Sequence, residues 1–191
     1  NLADDFALQL GNLPYYQPFQ SAIVAGQQSE LLKKILGTWI ARDASQTLVY
    51  QNLYLAMRFN LKEGLDPAIR LLQQPGAVPQ VKPLALLAIS KFGGKEHLPL
   101  IEPFMQATDL CAQIDVNGVR YSTQLRDVAL YVGLRLAGQD PKGYGFTRVP
   151  PNDQLLYQVA NFGFRSDTER AEAFKKWSDW RTANLQPRAA K

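Results

Sequence analysis

Few side chains in this sequence have the chemistry of a catalyst, and each can be weighed by its neighbours. The single histidine, His97, follows Gly93 and Gly94 and has Ser90, Glu96 and Glu102 close by in sequence. A hydrolase centre needs a nucleophile, an oriented imidazole and an oxyanion hole, and no motif here supplies that set. His97 therefore reads as a residue at a helix start. Cys111, the single cysteine, has no histidine beside it and reads as a half-buried, unreactive thiol. One cysteine and one histidine are too few for a tetrahedral zinc site of the usual kind, and they leave no internal disulfide. Asp4 and Asp5 are adjacent and would diverge on a helix rather than converge on a substrate. Lys142-Gly-Tyr-Gly-Phe lacks the strand before it and the helix after it that give a phosphate loop its meaning. The expectation is no catalytic residue, no metal ligand and no cofactor; Asp127, at the head of an apolar helix, reads as a helix-start residue that hydrogen-bonds the adjoining turn, with the role of an acting carboxylate as its alternative.

Charge narrows the partners. The net charge is +4, and segment by segment the excess is confined to the end of the chain. Residues 141 to 191 hold nine basic and five acidic side chains, whereas the two preceding segments, divided after residue 64, are each balanced. Arg165, Arg170, Lys175, Lys176, Arg181, Arg188 and Lys191 alternate with Asp167, Glu169, Glu172 and Asp179, so opposite signs cancel most of the field. A nucleic-acid partner is not expected. No apolar run approaches the length of a membrane span, and none is expected. The first residue, Asn1, reads as the start of a mature or trimmed chain, which leaves the compartment open.

The elements that would position these residues repeat. Val49, Leu53, Leu55, Ala56 and Met57 fall on Val81, Ala85, Leu87, Ala88 and Ile89 when the chain is shifted by 32 residues, and Pro67, Ala68, Ile69 and Leu72 fall on Pro99, Leu100, Ile101 and Phe104. Two kinds of helix therefore recur with one period. The apolar spacing of Val81, Ala85, Ala88, Ile89 and Phe92 fits one helical stripe, stopped by Gly93 and Gly94. A third copy, Leu125-Arg-Asp-Val-Ala129, arrives late by 12 residues. Those extra residues form a predicted hairpin, residues 112 to 116 and 119 to 123 around Asn117-Gly118, the strongest short signal for a two-residue turn. Its register would pair Val116 with Val119, Ile114 with Tyr121 and Asp115 with Arg120. The face bearing Ile114, Val116, Val119 and Tyr121 is expected to lie on the helices.

Val81-Lys82 followed by Ala85, Ala88-Ile89 and Phe92-Gly93 resembles the second helix of a HEAT repeat, and Leu98-Pro-Leu-Ile-Glu-Pro-Phe-Met105 resembles the first helix of the next. The resemblance covers about 60% of the chain and implies an all-α fold: a short right-handed α-solenoid of HEAT- or armadillo-like helical hairpins, with one inserted β-hairpin and a C-terminal capping helix. The Leu125-Arg-Asp-Val-Ala-Leu130 helix, then Gly138-Gln-Asp-Pro-x-x-Tyr-Gly-Phe146, then Trp177-x-x-Trp180 together resemble HEAT-type proteins of bacteria. A single domain over residues 1 to 191 is expected. It would hold a partial helix in 13 to 28, with Ala22, Ile23 and Ala25 on its buried side. Three helix pairs would span 29 to 138, a loop-rich crossing 139 to 165 and a last helix 166 to 184. That helix would start at a capping box, Ser166-Asp-Thr-Glu169, and bury Ala173, Phe174, Trp177 and Trp180.

On the second helices, the positions pointing away from the array's own core should be polar. Tyr54, Leu55 and Arg58, then Leu86 and Leu87, then Asp127, Leu130, Tyr131 and Leu134 are instead mostly apolar. Covering five or six large side chains is worth on the order of 10 kcal/mol gross, at about 1.5 to 3 kcal/mol each. The cover is expected from the aromatic tail (Tyr144, Phe146, Tyr157, Phe162, Phe164, Phe174, Trp177, Trp180), with a second chain as the alternative. These nine residues are the candidate interaction face of a non-catalytic protein-binding or scaffold module whose protein partner is unidentified and whose oligomeric state is open. The rival that the resemblance implies is a HEAT-like DNA glycosylase or nucleic-acid binder, using Asp127 with Tyr131 and the tail cations.

Overall fold

The computed structural model describes residues 12, 13, 16–42, 48–77, 79–150 and 158–184. The described chain is mostly helical, with eight α-helices, short 3-10 turns and one two-stranded antiparallel hairpin. Its residues group into two compact units, Asn1–Phe92 and Gly93–Lys191. Asn1, Asp4, Asp5, Tyr157, Arg188 and Lys191, named above, lie outside the described residues.

The first unit contains α1 (Gln17–Ala25), α2 (Ser29–Arg42), α3 (Val49–Phe59), α4 (Leu65–Gln73) and α5 (Lys82–Phe92). Pro18 lies in the first turn of α1, where its fixed φ suits a helix and its missing N–H costs nothing. Of the expected buried side of α1, Ile23 is buried, Ala22 is half-buried and Ala25 faces solvent. Asn60 ends α3 in the left-handed conformation, φ 56°, with its N–H returned to the last turn. First helices lie against first, α2 on α4, and second against second, α3 on α5, while α4 packs along α5. Ile23, Leu36, Ile40, Leu55, Ala56, Phe59 and Leu61 form one core cluster, edged by Phe19, Leu32, Trp39 and Phe92.

The second unit opens with a broken helix. A single α turn, α6 (Leu98–Ile101), sits between 3-10 segments Lys95–His97 and Glu102–Gln106 where a regular helix is expected. Pro103 has no N–H for the carbonyl four residues back, so the chain tightens instead of continuing. Strands β1 (Leu110–Val116) and β2 (Val119–Gln124) follow, in the expected register. Asn117 and Gly118 both have positive φ, 52° and 78°, as a type I′ turn requires. The strands lead into α7 (Leu125–Leu136), whose first amides donate to Asp109 O and Ala107 O at 2.9 Å each. The hairpin thus leaves and re-enters the helical path at one point, which is why twelve residues fit without disturbing it. A loop-rich crossing then reaches α8 (Asp167–Asn184). The Ser166 hydroxyl accepts the Glu169 N–H at 3.2 Å as expected, but Glu169 returns to the Arg165 N–H and guanidinium rather than to Ser166.

The apolar face of the hairpin lies against the segment that follows α7, and Tyr121 also shares a cleft with Glu172 and Lys176 of α8. Tyr121 is capped by the Arg148 guanidinium, 4.2 Å from the ring centroid, and Arg148 is itself held by Ala160 O at 3.1 Å. The 3-10 turn Val159–Phe162 packs against both strands, while Ile114 and Val119, toward the turn, stay partly in solvent.

Candidate functional site

The residues expected to bear function on α7 are the best-defined polar centre of the described chain. Asp127 lies at the third position of α7, where a carboxylate can close the helix start, and its Oδ2 accepts the Gln124 N–H at 2.8 Å. Its Oδ1 accepts Arg170 Nε from α8, also at 2.8 Å. Arg170 Nη2 donates to Ser122 O at 3.0 Å and to Ser122 Oγ at 3.2 Å, and Nη1 pairs with Asp167. Asp127 is 0% and Arg170 3% exposed, so three elements, β2, α7 and α8, are fastened through one guanidinium out of water. Burial pushes the Asp127 carboxyl above its ordinary range, against the opposing pull of Arg170 and the Gln124 N–H. Chemically this is a clamp: both carboxylate oxygens are engaged, and neither can reach a substrate.

Around the clamp the tail supplies rings. Tyr131 meets Phe146 edge-on at 5.6 Å and Phe162 at 4.6 Å, and Phe146 meets Phe164 at 5.1 Å. Trp177 is buried on α7 beside Gly133 and stacks on Trp180 at 5.3 Å. Phe164 adds a one-residue third strand, exchanging both backbone hydrogen bonds with Ser122 at 3.1 Å. This needs Gly163, because a Cβ there would stand 2.8 Å from the Ser122 backbone. The expected aromatic cover is thus present over α7, drawn from the chain's own C-terminal segment.

Two clefts flank the cover. One, of about 330 Å³, lies among Tyr121, Tyr144, Phe164, Arg165, Glu172 and Lys176. Its Arg165 is neutralised by Glu169 at 2.7 Å. The other, of about 470 Å³, has Met105, Phe174 and Trp177 below Arg126 and Arg181. Glu102 holds Arg181 through two bonds of 2.6 and 2.7 Å. His97 and Cys111 stand apart from both clefts. His97 Nδ1 takes the Gly94 N–H at 3.1 Å, the role of a helix-start residue. Burial, with Asp109 and Asp127 nearby, pushes the Cys111 thiol up to about 11, away from reactivity.

Placement of the nine expected face residues corrects one expectation. Leu55, Leu86, Leu87, Asp127, Leu130, Tyr131 and Leu134 are all buried, so they are core rather than a surface open to a partner. Leu55 belongs to the first unit's cluster, and α7 is covered by Phe146, Phe162 and Trp177. Tyr54 is half-buried, and Arg58 is exposed, with its guanidinium on Gln20 Oε1 at 2.6 Å. Sequence reasoning missed Arg170, although a signal was there. It precedes Ala173 and Trp177 by three and seven residues, so it shares their stripe, and a cation on an apolar stripe needs a buried partner. Arg148, in a loop without periodicity, carried no such signal.

No family model, curated protein or solved structure matches this chain.

Proposed function

We propose that this chain is a non-catalytic, HEAT-like interaction module: a short right-handed solenoid of helical hairpins, interrupted by a hairpin insertion and closed by α8, that binds another protein. The 32-residue recurrence and the alignment of α2 with α4 and α3 with α5 support the repeat reading, because stacked repeats place like helices side by side. The observation that carries the binding role is on α2. Leu36 and Ile40 are buried on one side, while Leu31 and Ile35, one turn apart on the opposite side, are 53% and 57% exposed. A helix apolar on two sides, with one side wet, is a surface waiting for a partner. The nucleic-acid reading has no comparable support, since its carboxylate, Asp127, is closed by Arg170.

The test replaces Ile35 with a photo-crosslinking phenylalanine analogue in the full chain. A discrete protein adduct, lost when Leu31→Glu is added, supports the module. The module reading fails if no protein adduct forms while labelled duplex DNA binds at low salt with a steep salt dependence, the mark of phosphate contacts.

A further inference from the structure

The hairpin has two edges, and among the described residues only one is closed. On β2, Ser122 turns its N–H and C=O outward and bonds both to Phe164. Gln113 is its cross-strand partner. In an antiparallel pair the residues that do not bond each other turn their backbone groups to opposite edges, so Gln113 presents its N–H and C=O on the far side of β1. Asp115, two residues on, does the same. Among the described residues, no backbone group takes either of them. β1 is seven residues long and carries neither Lys nor Pro; its edge guards are one charge, Asp115, and an irregularity confined to its start, between Leu110 and Ala112, which leaves the stretch around Gln113 regular. Leu110 and Ile114 stand 58% and 38% exposed along it.

We propose that β1 is the self-association edge of this protein, pairing antiparallel with β1 of a second copy about a two-fold axis at Gln113. The sequence of the strand selects both the occupant and the register. With the axis at Gln113, the outward-bonding residues meet one another: Gln113 faces Gln113, and Asp115 faces Cys111 of the second copy. Ala112 then lies opposite Ile114, apolar against apolar, while Leu110, beyond the irregularity, falls outside the regular ladder. Moving the axis to Asp115 sets two carboxylates against each other, and moving it to Cys111 puts the irregular stretch at the axis. The product is a four-stranded ribbon, long enough for a sheet to support itself where two strands are marginal. The ladder is short and falls below the roughly 1,000 Å² of a standard interface, so the dimer is concentration-dependent. The proposal stands independently of the partner-binding row on α2.

Sedimentation velocity on the full chain, from about 5 μM to about 1 mM, reads the association directly. The expected result is a monomer that shifts to a dimer across this range. Gln113→Lys, which places like charges at the axis on an exposed side chain, should weaken it at least tenfold with an unchanged circular dichroism spectrum. The Cys111→Ser, Gln113→Cys variant tests the register. Its one thiol, exposed at the axis, faces the same thiol of the second copy with Cα atoms about 5.5 Å apart, within disulfide reach. Mild oxidation should give a reducible covalent dimer, formed much faster than by the Cys111→Ser, Asp115→Cys variant, whose two thiols lie roughly 13 Å apart in this register. A chain that remains monomeric to about 1 mM, a dimer indifferent to Gln113→Lys, or an edge that takes only a strand of a different protein overturns the proposal.

Discussion

Arg170 and Asp127 do at the residue scale what an enzyme would do with a catalytic pair, but for fastening. Breaking a buried ion pair from one side leaves an uncompensated charge, at a cost of about 3–5 kcal/mol. Arg170→Met should therefore lower the unfolding free energy of the chain by about that amount in denaturant titration, and Arg170→Met with Asp127→Leu should recover much of the loss. Cys111 supplies a pH test. With its thiol at about 11, the thiolate fraction at pH 8 is about one in a thousand, and it climbs roughly tenfold per pH unit below the pKa. Iodoacetamide labelling of the native chain should be slow at pH 8 and still rising at pH 10, whereas the unfolded chain should level off earlier. The unreactive reading of Cys111 was legible because no activating neighbour stood near it in sequence. The stripe it shares with Ala173 and Trp177 marked Arg170 as a cation in need of a buried partner, but with 43 residues between the two, nothing local named Asp127 as that partner.

At the scale of elements, legibility followed the locality of the cause. The hairpin register could be read in full because Asn117-Gly118 fixes it within two residues. What the hairpin leans on could not, because Arg148 and the Val159–Phe162 turn meet it only through the folded loop. The 32-residue recurrence implies a first helix in the third pair, but Pro99 and Pro103, four residues apart, are incompatible with an unbroken one, and the segment folds as one α turn between 3-10 turns. Gly163 is the element-scale test of the tail's attachment. Gly163→Ala forces a methyl into the Ser122 backbone, and the strain should lower thermal stability by the equivalent of about 1–3 kcal/mol and loosen the Ser122–Phe164 bridge. Trp177→Ala should cost about 3–5 kcal/mol, read in the same experiment.

For the molecule as a whole, the apolar residues expected to form one row on the second helices are buried, each within its own unit. On α7 the chain's own rings cover them, whereas in the first unit Leu31 and Ile35 of α2 face water. Leu31→Glu with Ile35→Glu should accordingly leave stability within about 0.5 kcal/mol, as surface substitutions do, while abolishing partner capture. The central claim is that α7 is sealed by the tail and not by a partner, and hydrogen exchange of the free, full-length chain tests it most directly. The amides of Val128 to Leu134 should be among the slowest to exchange in the second unit, and Arg170→Met should speed them markedly. Exchange of those amides within seconds in the free chain, with protection appearing only when another protein is added, would contradict it.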